Sequence, residues 1–140
     1  MNYLADLRRQ GRLKAPVEPV GGQYVYHLPC HLCAVGDETV TLRLLREHYG
    51  VNVRDLGAGC CGLSGTFGMQ RKNHDLAEAI SQSLKSAISA APTRHVLTEC
   101  AACKMQIEHL DDVTVTHPIK LVAHAYALMP HASRPSILRR

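Results

Sequence analysis

Tryptophan is absent from this chain of 140 residues and phenylalanine occurs once. The core must therefore be built from Leu, Val, Ile and Ala, with Tyr3, Tyr24, Tyr26, Tyr49 and Tyr126 as the remaining aromatics. No apolar run approaches the length of a membrane span, and no charged start, apolar stretch and cleavage site mark a secretory leader. The chain is expected in the cytoplasm. The net charge of +4 is dispersed, with no basic stripe interleaved with stacking aromatics, which argues against nucleic-acid binding. A glycine-rich loop runs from 57 to 68 but is not followed by Gly-Lys-Ser/Thr, so it is no phosphate-binding P-loop. No grouping of acid and base that resembles a substrate pocket is visible, and no independent catalysis is assigned.

What the sequence does have is six cysteines, at 30 and 33, at the adjacent positions 60 and 61, and at 100 and 103. Cytosolic thiols stay reduced, so six of them point to metal binding or redox work rather than a disulfide framework. The side chains of Cys60 and Cys61 diverge and do not easily meet at one tetrahedral ion. They can reach different irons of one cluster, because a cluster offers thiolate acceptors spread over several ångströms. Cys100-Ala-Ala-Cys103 by itself is ambiguous among thioredoxin-like redox chemistry, zinc and iron-sulfur ligation. At a helix start, the dipole is expected to lower thiol pKa.

Residues 1–22 read as an N-terminal amphipathic helix carrying Tyr3, Leu4 and Leu7, followed by a linker with Pro16, Pro19, Gly21 and Gly22. Residues 23–130 form the main domain and 131–140 a basic, solvated tail with Arg134, Arg139 and Arg140. Within the domain, strands are expected at 24–28, 51–56, 95–98 and 113–116. Helical spacing appears over 37–49, stopped by Gly50, and over 73–91, where Ala77, Ile80, Leu84, Ala87, Ile88 and Ala91 share a face and Pro92 ends the helix. Further helices carry Met105, Ile107 and Leu110, and then Ile119 to Leu128 after Pro118 at a first helical position. Such alternation predicts an α/β fold: a mostly parallel sheet flanked by helices, in a Rossmann-like three-layer arrangement. Sites in these folds lie beyond the carboxyl ends of the strands, where all three cysteine groups fall.

The glycines at 57, 59, 62, 65 and 68 let the backbone approach closely and present amide donors, a lever on cluster potential. His31 is read as a hydrogen-bond donor to a cluster sulfur in preference to a ligand. His117 is read as structural, the remaining histidines as surface or packing residues, and Met69 and Met105 as fillers around the site.

Cys30, Cys60-Cys61-Gly62 and Cys100-x-x-Cys103 resemble the cysteine-rich CCG domain found in the B component of heterodisulfide reductase and its relatives. The segments His27-Leu-Pro-Cys-His-Leu32, Gly57 to Gly68, Cys103 to Glu108 and His117-Pro-Ile119 look most like the iron-sulfur component, of C type, of anaerobic glycerol-3-phosphate dehydrogenases. The resemblance runs from Tyr24 to Met129. It implies an electron-transfer module in complexes acting on glycerol 3-phosphate, glycolate or lactate, or in heterodisulfide reductases. It further implies a 4Fe-4S cluster, non-cubane in the heterodisulfide reductase component, on Cys30, Cys60, Cys61, Cys100 and Cys103, with Gly59, Gly62 and His31 beside it. Some relatives hold zinc at such a motif. The partners implied are a flavin dehydrogenase subunit, a ferredoxin-like iron-sulfur domain and quinone or a disulfide as acceptor, with peripheral attachment at the inner face of the cell membrane.

Two departures stand out. The chain lacks a ferredoxin-type C-x-x-C-x-x-C-x-x-x-C-P run and has one CCG motif where full-length relatives have two, so it looks like a second CCG domain standing alone, as a fragment or a split subunit. Cys33 is not expected in the family; it is read as a small buried hydrophobe, with a sixth thiolate or a resolving thiol as alternatives. A zinc-holding structural or interaction module using Cys30 or His31 with Cys60, Cys100 and Cys103 remains open, as does a thiol-disulfide protein relying on Cys100 and Cys103, with or without Cys33.

Overall fold

The computed structural model describes residues 1–36, 39–110, 112–130 and 135–138. Four short strands, β1 (Gln23–Tyr26), β2 (Asn52–Asp55), β3 (His95–Leu97) and β4 (Thr114–Thr116), form one sheet in the order β2-β1-β3-β4. Every pairing is parallel, with Tyr24 opposite Val53, Val25 opposite Val96 and Val96 opposite Val115. The crossovers contain helices, as parallel pairing requires.

Side chains alternate along a strand, and that alternation builds two cores. Tyr24, Tyr26, Val53 and Leu97 face one way, against Leu44 and Leu45 of α3 (Val40–Glu47) and Leu121, Val122 and Ala125 of α6 (Pro118–Ala125). Val25, Val96 and Val115 face the other, against Leu84 and Ile88 of α4 (His74–Ser89) and Ile107 of α5 (Ala101–Ile107). The three-layer α/β arrangement is therefore present. Helix α1 (Asn2–Arg9) lies against α3, where Arg8 donates to Glu47 at 2.9 Å.

Several elements differ from expectation. A helix not anticipated, α2 (Cys30–Val35), follows Pro29 directly and buries none of its residues. Cys33 on it is exposed, not a buried hydrophobe, and its thiol donates to the Pro29 carbonyl at 3.7 Å. On α4 the buried stripe is Ala77, Ser81, Leu84 and Ile88. Ile80 lies one residue off that 4-3-4 spacing and points to solvent. Helix α6 stops at Ala125, short of Leu128, because Ala127 turns left-handed with φ +54. The Leu128 amide then donates to the Ala123 carbonyl and the Ala127 amide to that of His124, a Schellman closure. Leu128, Tyr3, Met69 and Met105 are all exposed, so neither methionine fills a gap at the site.

Residues 37 and 38, the expected start of the helix over 37–49, and Arg134, Arg139 and Arg140 of the tail lie outside the described residues. Leu138 is buried in the first core, so the tail is not solvated throughout. Among the described residues no helix is long and apolar enough to cross a membrane.

Candidate metal centre

Each cysteine group follows the carboxyl end of a strand. Cys30 opens α2 after β1, Cys60 and Cys61 sit in the loop after β2, and Cys100 caps α5 after β3. Because β1 lies between β2 and β3, those three loops are neighbours along one edge of the sheet. Cysteines far apart in sequence meet there as a consequence of strand order.

The contact at the centre is between Cys103 and Cys61, both buried, with the Cys103 thiol donating to the Cys61 sulfur at 3.2 Å. Cys60 lies near enough to Cys61 and Cys30, and Cys103 to Cys100, for each to alter its neighbour's proton affinity, so the five thiols follow one another as a chain of neighbours. Cys30 is exposed, Cys60 and Cys100 half-buried, and the group thus runs from the second core out to solvent. Cys33 bonds instead to Pro29, outside that chain of sulfurs, and His31 is exposed on α2.

Proton affinity is divided unequally. The hydrogen bond from Cys103 holds the Cys61 thiol below the ordinary range, helped by the Leu63 amide and opposed by burial. The same bond, with burial, pushes Cys103 up. Helix position alone predicts a lowered thiol for this residue, but the bond to Cys61 and burial override the dipole of a seven-residue helix. Burial also raises Cys60, although the Gly62 amide donates to its sulfur at 3.4 Å. Amide donation from the glycine loop is thus realised at Cys60 and Cys61.

Gly62 is required by geometry. Its φ is +86, and a Cβ there would come within 2.1 Å of the Ala77 carbonyl oxygen on α4. Gly59 has only an ordinary contact with Ser83, and Gly57 and Gly65 face open space.

Three residues that sequence reasoning does not single out support the site. Glu99, immediately before Cys100, accepts from Tyr26 at 2.9 Å and from Thr41, tying the end of β3 to β1 and α3. His27 and Thr98 are buried at the ends of β1 and β3. Sequence alone treats His27 as a surface or packing residue, though its place two positions after inward-facing Val25 is a signal available in the alternation. His117, by contrast, caps α6 as expected, its Nδ1 accepting from the Ile119 amide at 3.0 Å.

Among the described residues no three histidine, cysteine or carboxylate side chains are gathered to hold a single metal ion. The chain of five soft thiols, two of them receiving main-chain amides, has the donor chemistry of a metal or iron-sulfur site.

A family model described as a cysteine-rich domain, CCG, matches residues 24–108. The chain is 38% identical to the C component of the anaerobic glycerol-3-phosphate dehydrogenase of Escherichia coli strain K12 over 112 residues, 80% of this chain and 28% of that protein. The same figures hold for the protein of that name in Escherichia coli O157:H7. A D-2-hydroxyglutarate dehydrogenase of strain K12 is 25% identical over 108 residues, 75% of this chain and 11% of that protein. The chain thus spans under a third of the length of these relatives. No solved structure matches it.

Proposed function

Because the chain belongs to the cysteine-rich CCG domain family, we propose that it is the electron-transfer module of a flavin-linked dehydrogenase assembly. In this reading Cys30, Cys60, Cys61, Cys100 and Cys103 would hold one 4Fe-4S cluster, which supplies one-electron oxidation and reduction when bound. The substrate of the assembly is glycerol 3-phosphate, glycolate or lactate. Its other parts are a flavin dehydrogenase subunit and a ferredoxin-like iron-sulfur domain, and quinone or a disulfide takes the electrons at the inner face of the membrane.

The chain's own residues provide the environment. Cys61, held toward its thiolate form, is prepared as a ligand, since the thiolate and not the thiol binds metal. The Gly62 amide places positive dipole on the Cys60 sulfur. Burial of Cys61 and Cys103 excludes water from the inner side, while exposed Cys30 leaves an outer side open to a partner. His31, beside Cys30, belongs to that outer rim.

The observation that carries the reading is the 3.2 Å meeting of Cys61 with Cys103, two buried thiols, one from the loop after β2 and one from α5, within the five-sulfur chain. A single zinc would ask four ligands to converge on one centre, whereas the thiols here run as a chain from buried Cys61 and Cys103 out to exposed Cys30. The test is anaerobic reconstitution with iron and sulfide followed by chemical analysis. Iron and acid-labile sulfide bound in equal amounts are expected; a protein that takes up zinc alone and no sulfide would contradict the proposal.

A further inference from the structure

His27 and Thr98 directly follow β1 and β3, at the sheet edge from which the cysteine-bearing segments leave. Val25 pairs with Val96 and Tyr26 with Leu97, and the His27 amide continues the ladder by donating to the Leu97 carbonyl at 2.9 Å. The next step of that register sets His27 beside Thr98. Alternation puts both on the face of Val25 and Val96, which pack in the same core as Cys61 and Cys103.

Each is 2% exposed, and His27 Nδ1, His27 Nε2 and Thr98 Oγ1 all lack a hydrogen-bond partner among the described residues. An unpaired buried polar group costs about 1–3 kcal/mol, and native proteins leave few of them. Neutral His27 donates from one ring nitrogen and Thr98 from its hydroxyl, and these two unpaired donors, on the cysteine-bearing face and at the carboxyl edge of the sheet, mark a place built for an acceptor that the described residues do not supply. Neither residue is needed as a ligand.

We propose that His27 and Thr98 are positioning residues that donate hydrogen bonds to sulfur atoms of the inorganic group held by the five thiols. This rests on the iron-sulfur reading above. Reduction adds negative charge to such a group, and hydrogen bonds to a charged acceptor are the stronger ones. Donors on the sulfurs therefore stabilise the reduced form and raise the reduction potential.

The experiment is redox titration, followed by EPR, of the reconstituted full chain as wild type and as Thr98→Val, His27→Leu and His27→Gln. Thr98→Val and His27→Leu are each expected to shift the potential to more negative values at unchanged iron and sulfide content, and His27→Gln, which keeps a donor, to recover part of the shift. In metal-free protein Thr98→Val should leave the unfolding midpoint unchanged or raise it, since no internal bond is lost. Should His27→Leu fail to fold, Thr98→Val decides alone. Fully loaded variants with the wild-type potential would overturn the inference and leave the iron-sulfur reading standing, the acceptors then being trapped water. A wild-type chain that binds neither iron nor sulfide would overturn both.

Discussion

At the scale of single residues, the contact between Cys61 and Cys103 shows most clearly how the chain prepares its chemistry. One proton is held on Cys103 and charge is favoured on Cys61. In metal-free protein, ultraviolet absorbance should therefore report a thiolate persisting below the pH at which ordinary thiols ionise. Cys103→Ala removes the donor, and the low-pH thiolate signal should diminish; an unchanged titration would mean that the bond is not its cause. The cysteine pattern is legible in sequence because ligand spacing is a local property. The inversion at Cys103 is not, because it depends on a partner 42 residues away.

His27 adds a second residue-scale consequence. Burial lowers its pKa from 6.5 to about 4, only partly offset by Asp55. The unfolded chain takes up a proton as pH falls below 6.5, while the folded one stays neutral until about 4. Stability from this group is thus complete above 6.5 and is lost as pH drops toward 4, by on the order of 3 kcal/mol. Urea unfolding of metal-free protein at stepped pH should show this fall, and His27→Leu should flatten it. A profile equally steep in the variant would show that another group titrates.

At the scale of elements, the loop after β2 is held against α4 by glycines whose roles differ. Gly62→Ala forces a Cβ into the Ala77 carbonyl at a positive φ, whereas Gly57→Ala, at φ +57, meets nothing within 4 Å. Gly57→Ala should cost about 1–2 kcal/mol, the penalty of left-handed backbone alone. Gly62→Ala should cost clearly more and displace the loop bearing Cys60 and Cys61, lowering both the thermal midpoint and iron uptake. Equal midpoints for the two would show that the loop yields freely.

The strands and the long helix can be read from their periods, but the distinction between Gly62 and Gly57 cannot. It exists only once α4 is docked. Helix α2 is silent in the sequence for a related reason: it buries no residue and so leaves no apolar stripe to detect. Ile80 falls outside the buried stripe because apolar character and helical face are separate properties. Ser81, wholly buried through its bond to the Glu78 carbonyl at 2.8 Å, holds the position that the stripe requires.

At the scale of the whole molecule, strand order assembles the centre. Alternating strand and helix patterns are enough to predict a parallel sheet, and the cysteines' positions are enough to put them at its carboxyl edge. That β1 stands between β2 and β3, making the three loops adjacent, follows only from the observed order. Glu99 then fixes the end of β3 to β1 and α3 through Tyr26 and Thr41. The result is a site with a dry inner side at Cys61 and Cys103 and an open outer side at Cys30.

The central claim is that five thiols share one inorganic group while the sixth does not. EPR of anaerobically reconstituted protein, compared among wild type, Cys61→Ser and Cys33→Ser, tests it most directly. A cluster signal abolished or strongly altered by Cys61→Ser and almost unchanged by Cys33→Ser is the predicted result. Insensitivity to both substitutions would contradict the account.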